Sequence, residues 1–237
     1  MINRILIGVT SLWMASIAMA DDFVVGVENI SYFPYYTTEN GEYGGHARAI
    51  LDAFAEDSGH TFTYRPLPVS RLMDTFLNGG VDFKYPDNPN WRADIREGLS
   101  FSYSDPVIGF IDGVAAPSRI ENLEKLSTVR GFTPWTYMDK VNSGEITLHQ
   151  QNNVEQLIQF VLAGRAQGAY FNIDVLRYQL REMNQEGALT FQEHLPHDQS
   201  FYYLSTLEHH GVIDEFSQWM TDNPERVEQL KKEFGLN

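Results

Sequence analysis

Short apolar runs alternate with helical stripes along most of the chain. Phe23-Val24-Val25-Gly26-Val27 is a compact apolar run before a polar loop, which predicts a strand. In 46–58, Ala47, Ile50, Leu51, Phe54 and Ala55 recur at spacings of three and four, one face of a helix, and Gly59 is its stop. Residues 61–65 are β-rich and end at Pro66. Ser70 is a natural N-cap, Leu72, Met73, Phe76 and Leu77 form the next apolar face, and Gly79-Gly80 ends that helix before a strand at 81–85. Strand, helix, strand, helix, strand makes two βαβ units. Right-handed crossovers then dictate a parallel sheet with its crevice at the carboxyl ends of the strands.

A second unit of the same kind follows. Residues 106–116 form a long apolar stretch, 126–129 and 145–148 read as strands, and 154–162 is a helix carrying Leu157, Ile158, Val161 and Leu162. A strand at 168–171, a helix at 174–183 and strands at 189–192 and 201–204 come next. Two amphipathic helices close the chain, the last opened by Pro224 and stopped by Gly235. No internal repeat, low-complexity segment or flexible linker interrupts this order.

The first twenty residues stand outside the pattern. A positive start through Arg4, an apolar run at 5–17 and the small-x-small triplet Ala18-Met19-Ala20 read as a cleavable signal peptide, with the mature chain beginning at Asp21. Its removal takes one basic residue and no acid, moving the net charge from −15 to −16. Such an acidic chain is repelled by phosphate backbones, which excludes nucleic acid as the expected partner. The absence of cysteine excludes thiolate catalysis, Cys zinc sites and a lipoprotein anchor, so the expected product is exported to the periplasm without a lipid.

Catalytic signatures are missing. The chain has no Gly-x-Ser-x-Gly, no phosphate-binding Gly-x4-Gly-Lys, no Gly-x-Gly-x-x-Gly and no His-Glu-x-x-His. Pro196 separates His194 from His197, and the adjacent His209 and His210 diverge, so neither pair suggests a metal site. No cofactor or metal is expected.

The candidate chemistry lies at the predicted strand ends. Glu28, Tyr32, Phe33, Tyr35 and Tyr36 follow the first strand, Ser70 and Arg71 the second, and Asp87, Trp91 and Arg92 the third. All three loops meet at one crevice. Aromatic walls with a few opposed charges suit a small polar organic ligand, because rings supply desolvated contact area while charges fix orientation. In the second unit, Gly131-Phe132-Thr133-Pro134-Trp135 places Thr133 as an N-cap and Pro134 in the first turn, a helix start able to meet an anionic group.

Several segments taken together resemble the bacterial extracellular solute-binding proteins of family 3, the polar amino-acid receptors. These are Val25-Gly26-Val27-Glu28 with Tyr32-Phe33-Pro34-Tyr35, Gly41-Glu42-Tyr43-Gly44-Gly45, and Leu77-Asn78-Gly79-Gly80-Val81-Asp82, followed by Tyr103-Ser104-Asp105-Pro106 and Leu162-Ala163-Gly164-Arg165. The similarity runs over nearly the whole mature chain. It implies an α/β, type II periplasmic binding protein fold of two lobes, with parallel-centred sheets flanked by helices and a hinge of two crossover strands. Lobe 1 would comprise 21–109 and 200–237, lobe 2 112–196. The resemblance implies that Glu28 and Tyr32 contact the ligand, that Arg92 or Arg96 grips a carboxylate, that Thr133 assists, and that Asn172 stands where the family has an amine-binding Asp. Asparagine cannot neutralise an ammonium, which argues against a standard α-amino acid.

The sequence thus leads to a monomeric periplasmic protein that traps a zwitterionic or mixed-charge ligand at Glu28, Tyr32, Tyr36, Arg71, Asp87, Trp91, Arg92, Thr133, Trp135 and Asn172, for delivery to an ABC permease. A lone cation is the second ligand class. An accessory protein for a membrane sensor is the alternative, and a dehydratase using Glu28 or Asp87 a further one.

Overall fold

The computed structural model describes residues 21–38, 41–92 and 95–236, so the expected signal peptide lies outside the described residues. In chain order the first elements are β1 (Asp22–Glu28), α1 (His46–Ser58), β2 (Thr61–Leu67), α2 (Val69–Leu77), β3 (Phe83–Asp87), β4 (Ser102–Tyr103) and β5 (Ile108–Ala116). Then come β6 (Lys125–Val129), a 3-10 turn (Trp135–Tyr137), α3 (Met138–Asn142), β7 (Thr147–Gln151), α4 (Val154–Leu162) and β8 (Gly168–Asn172). The chain ends with α5 (Ile173–Glu182), β9 (Thr190–Phe191), β10 (Asp198–Thr206), α6 (His210–Asp222) and α7 (Pro224–Glu233). No helix among the described residues is long and apolar enough to cross a membrane.

The strands hydrogen-bond in the order β2-β1-β3-β10-β5-β8-β6-β7, with β4 added to β10 and β9 to β5. Each half has a parallel centre: β1 lies between β2 and β3, and β6 between β7 and β8. Two long antiparallel strands join the halves. The first part of β10 pairs with β5, Asp198 opposite Asp112 and Tyr202 opposite Ile108, and its later part turns to β3, with Ser205 opposite Lys84. Beyond the crossover β5 pairs with β8, Asp112 opposite Asn172.

The helical stripes bury the faces their periodicity predicts. Ile50, Leu51 and Phe54 of α1 are fully shielded, as are Leu157 and Ile158 of α4, and each such side chain stabilises the fold by roughly 1.5–3 kcal/mol. Boundaries shift where tertiary pairing overrides local signals. Strand β2 continues through Pro66 because it lies at the sheet edge, where a missing N–H costs no ladder bond. Helix α2 begins at Val69 after Pro68, so Ser70 sits inside its first turn and does not cap it.

Candidate functional site

The carboxyl ends of β1 and β3 and the loop after β6 converge on a cavity of about 250 Å³ between the two halves. Its lower wall is the loop that follows β1. Tyr32 stacks at 4.8 Å on Tyr36 and, across the interface, at 5.7 Å and 4° on Phe132 from the loop after β6. That loop comes close enough that a Cβ on Gly131 would stand 3.3 Å from Val69 of α2. Tyr35 adds a second tie, its hydroxyl donating to Asp174 on α5 at 3.2 Å. The halves are therefore closed on one another, with aromatic rings on both sides of the cavity.

Polar groups face this aromatic lining at a few points. Glu28, at the end of β1, is buried and accepts a hydrogen bond from the Tyr36 hydroxyl. Burial raises its carboxyl above the ordinary range, against the lowering pull of Lys84 and Tyr36. Lys84 reaches the cavity from β3, where its ammonium donates to the Pro86 carbonyl at 2.5 Å and to Asp87 at 3.0 Å, and lies 5.4 Å from the centre of the Trp91 ring. Asp112 reaches it from the crossover strand β5. Burial, then the neighbouring Asp198 and Glu28, pushes the Asp112 carboxyl up to about 8.

Seven of the ten expected ligand contacts meet here, Glu28, Tyr32, Tyr36, Trp91, Arg92, Thr133 and Trp135, together with Ser70 and Phe132. Three lie elsewhere. Arg71 is on the exposed side of α2, outside the lining, because the apolar face of that helix turns Leu72 and Met73 inward. Asp87 is wholly buried behind the cavity wall, where it accepts from Lys84, from both terminal nitrogens of Arg96 at 2.7 and 3.0 Å, and from Ser205 at 2.6 Å. Arg96 also donates to the Trp91 carbonyl and to Tyr103, so of the two arginines considered for a carboxylate it holds the loop and leaves Arg92 at the cavity. Asn172 is buried as the N-cap of α5, its Oδ1 accepting from the backbone N–H groups of Asp174 and Val175.

Thr133 lines the cavity but caps no long helix. The chain there forms only a 3-10 turn from Trp135 to Tyr137 and the five-residue α3. The expected helix-start anion site is thus corrected: Pro134 precedes the turn and no side chain caps it. Sequence reasoning missed Lys84, Asp112 and Tyr202. A signal existed for Asp112, the one charge inside the apolar run 106–116, where an unpaired charge is costly and therefore informative.

No protein-family model and no curated protein sequence matches the chain. Solved structures do match. An ABC uptake transporter substrate binding protein from Streptococcus pneumoniae with bound histidine superposes with a TM-score of 0.72 at 12% identity, covering 90% of this chain and 92% of that one. A periplasmic His/Glu/Gln/Arg/opine family-binding protein from Silicibacter pomeroyi in complex with lysine gives 0.70 at 19% identity, over 90% and 97%. The chain has the type II, two-lobe periplasmic binding protein fold. Another protein of this binding-protein fold, the ancestral amino acid-binding protein AncCDT-1, a precursor of cyclohexadienyl dehydratase, gives 0.67 at 14% identity, over 90% and 95%. In the terms of this binding-protein fold, the cavity lies in the interlobe cleft and β5 and β10 are its crossover strands.

The raised carboxyls give the site a pH signature. A carboxyl whose folded pKa lies above its unfolded value, about 3.9 for aspartate, favours folding most below that value and loses this contribution as pH rises toward the folded one. For Asp112 the window extends from about 3.9 to about 8. The ligand-free protein is therefore expected to melt at a lower temperature at pH 8.5 than at pH 6. Asp112→Asn should flatten that difference in differential scanning fluorimetry, and an unchanged slope in the variant would contradict the assignment.

Proposed function

We propose that the protein is a periplasmic solute-binding protein that captures a small polar, mixed-charge, amino-acid-like ligand between its lobes for ABC-type uptake. The observation that carries this is the closed cavity itself: aromatic rings from both lobes around Glu28, Asp112, Lys84 and Arg92. Mixed charge in a shielded, aromatic pocket suits a zwitterion, since each ligand charge finds a partner and the rings exclude water. The neighbours on this fold that were solved with histidine and lysine support the same ligand class.

In this reading lobe 1 is 21–109 with 200–237 and lobe 2 is 112–196, and the ligand closes one on the other. The protein works as a monomer in the periplasm, exported by the segment 1–20, and delivers its ligand to an inner-membrane permease or to a membrane sensor. A second reading, catalysis of an elimination, is favoured by two carboxyls raised by burial, as a general acid requires, and by the AncCDT-1 neighbour. Mass spectrometry of each bound compound after incubation separates the two, since capture returns it unchanged.

Closure is the physical content of the proposal, because a ligand that touches both lobes stabilises the arrangement in which they meet. Small-angle scattering of the mature protein should give a smaller radius of gyration with a calorimetrically verified ligand than without. An identical radius under saturation rules out the clamp.

A further inference from the structure

Asp112 has surroundings unlike those of the other charged groups in the cleft. It is the central residue of a three-strand row, with Asp198 of β10 directly opposite on one side and Asn172 of β8 on the other, and directly opposed residues present their side chains on the same face. The charges acting on its carboxyl are those of Asp198 and Glu28, both negative. The phenols of Tyr32, Tyr35, Tyr170 and Tyr202 complete the set of titratable groups that feel it. Lys84, the buried cation of the lining, is engaged by Asp87 and the Pro86 carbonyl.

The Asp112 Oδ1 is shut off from solvent and has no hydrogen-bond partner, although the residue forms part of the cavity wall. A buried acceptor without a donor costs free energy that a ligand donor can recover. Two of the rings nearest this wall, Tyr32 and Tyr202, bond each other through their hydroxyls at 3.1 Å and add aromatic surface beside the carboxylate. An acceptor lacking a donor, adjacent carboxylates and aromatic walls together fit a cation that carries N–H groups. A quaternary ammonium satisfies the charge and the rings but leaves the acceptor unmet.

We propose that Asp112, on the crossover strand, is the specificity-determining residue of the cleft: it receives the N–H groups of an organic cation, a primary ammonium or guanidinium, and selects such ligands over quaternary ammonium and anionic solutes. This rests on the capture reading and names the charge that the captured solute must carry. Because Asp112 lies on β5 directly opposite Asp198 of β10, the two strands that join the lobes, a cation held there also offsets the Asp198 charge at the crossover.

The test is isothermal titration calorimetry on the mature chain with the twenty amino acids, γ-aminobutyrate, putrescine, glycine betaine and succinate. The tightest ligand is expected to bear an N–H cation, and Asp112→Asn should weaken it by about thirtyfold or more, as for truncation of a buried charge partner. The ligand-free Asp112→Asn protein should melt no lower than wild type, which separates lost binding from lost folding. Asp198→Asn, which removes an adjacent carboxylate but keeps the Asp112 acceptor, should weaken binding by less than Asp112→Asn does, and an equal or larger loss would place the contact at Asp198 instead. Glycine betaine or succinate as the tightest ligand overturns the inference and leaves capture standing, as does an Asp112→Asn affinity within threefold of wild type. Failure of the whole panel to bind wild type overturns capture and this inference together.

Discussion

Asp87→Asn is expected to lower the melting temperature of the ligand-free protein by about 10 °C. The carboxylate is fully buried, and its two cationic partners, Lys84 and Arg96, keep only 5% and 7% of their side chains exposed. Removing one member of a buried ionic group leaves the others uncompensated, at about 3–5 kcal/mol, and each kcal/mol moves the melting point of a chain this size by roughly 2–4 °C. Burial by itself would raise the Asp87 carboxyl, but Lys84, Arg96 and Ser205 outweigh it and hold it below the ordinary carboxylate range. A depressed folded pKa contributes stability that is present above the unfolded value, about 3.9, and lost as pH falls below it. Wild type should therefore lose stability in acid more steeply than the Asp87→Asn variant. Thermal melts of both from pH 3 to pH 7 measure this. A variant that melts like wild type across that range would show that the network does not hold the cavity wall.

The second large effect is expected at Gly45. This residue precedes α1 with φ of +84°, and a Cβ built there would lie 2.7 Å from the Tyr36 Cα and 3.0 Å from the Tyr35 carbonyl oxygen. The left-handed backbone costs an L-residue about 1–2 kcal/mol, and a backbone obstacle cannot yield as a flexible side chain does, which adds about 1–3 kcal/mol. The following N–H groups of α1 are already bonded to the aromatic loop, His46 to the Pro34 carbonyl and Ala47 to that of Tyr35. Pushing Gly45 away thus displaces the loop that carries Tyr32 and Tyr36. Gly45→Ala is expected to destabilise the fold by about 2–5 kcal/mol, read by chemical denaturation. Gly41→Ala is the control, since it shares the positive φ but meets nothing within 4 Å, and it should lose only the backbone part. Equal losses at the two positions would show that the contact with the loop carries no energy.

The elements themselves were legible along the chain. The stripe Ala47, Ile50, Leu51, Phe54 and Ala55 and the stop at Gly59 give α1 its observed bounds, and 154–162 emerges as α4 without adjustment. A helix or strand is a local object whose period appears in consecutive residues. The aromatic loop after β1 was legible for the same reason: parallel topology sends the ends of β1 and β3 to one place whatever the details.

Glu28 and Arg92 were legible as cleft charges, but tertiary structure decided the fate of the others. Arg71, Asp87 and Asn172 stand at the expected strand and helix ends, yet none lines the cavity: Arg71 faces solvent, Asp87 is held by Lys84 with Arg96, and the Asn172 Oδ1 is taken by the α5 backbone. Asp112 and Lys84 lie inside strands, where the inward or outward sense of a side chain depends on register with a strand far away in sequence. Asp112 acquires its neighbours from β10 and β8, and Lys84 faces Ser205 of β10. Local hydrophobic periodicity determines the elements because it acts over a few residues. Cross-strand register and charge pairing act between distant segments, so the polar groups of the site are settled only when the chain has folded.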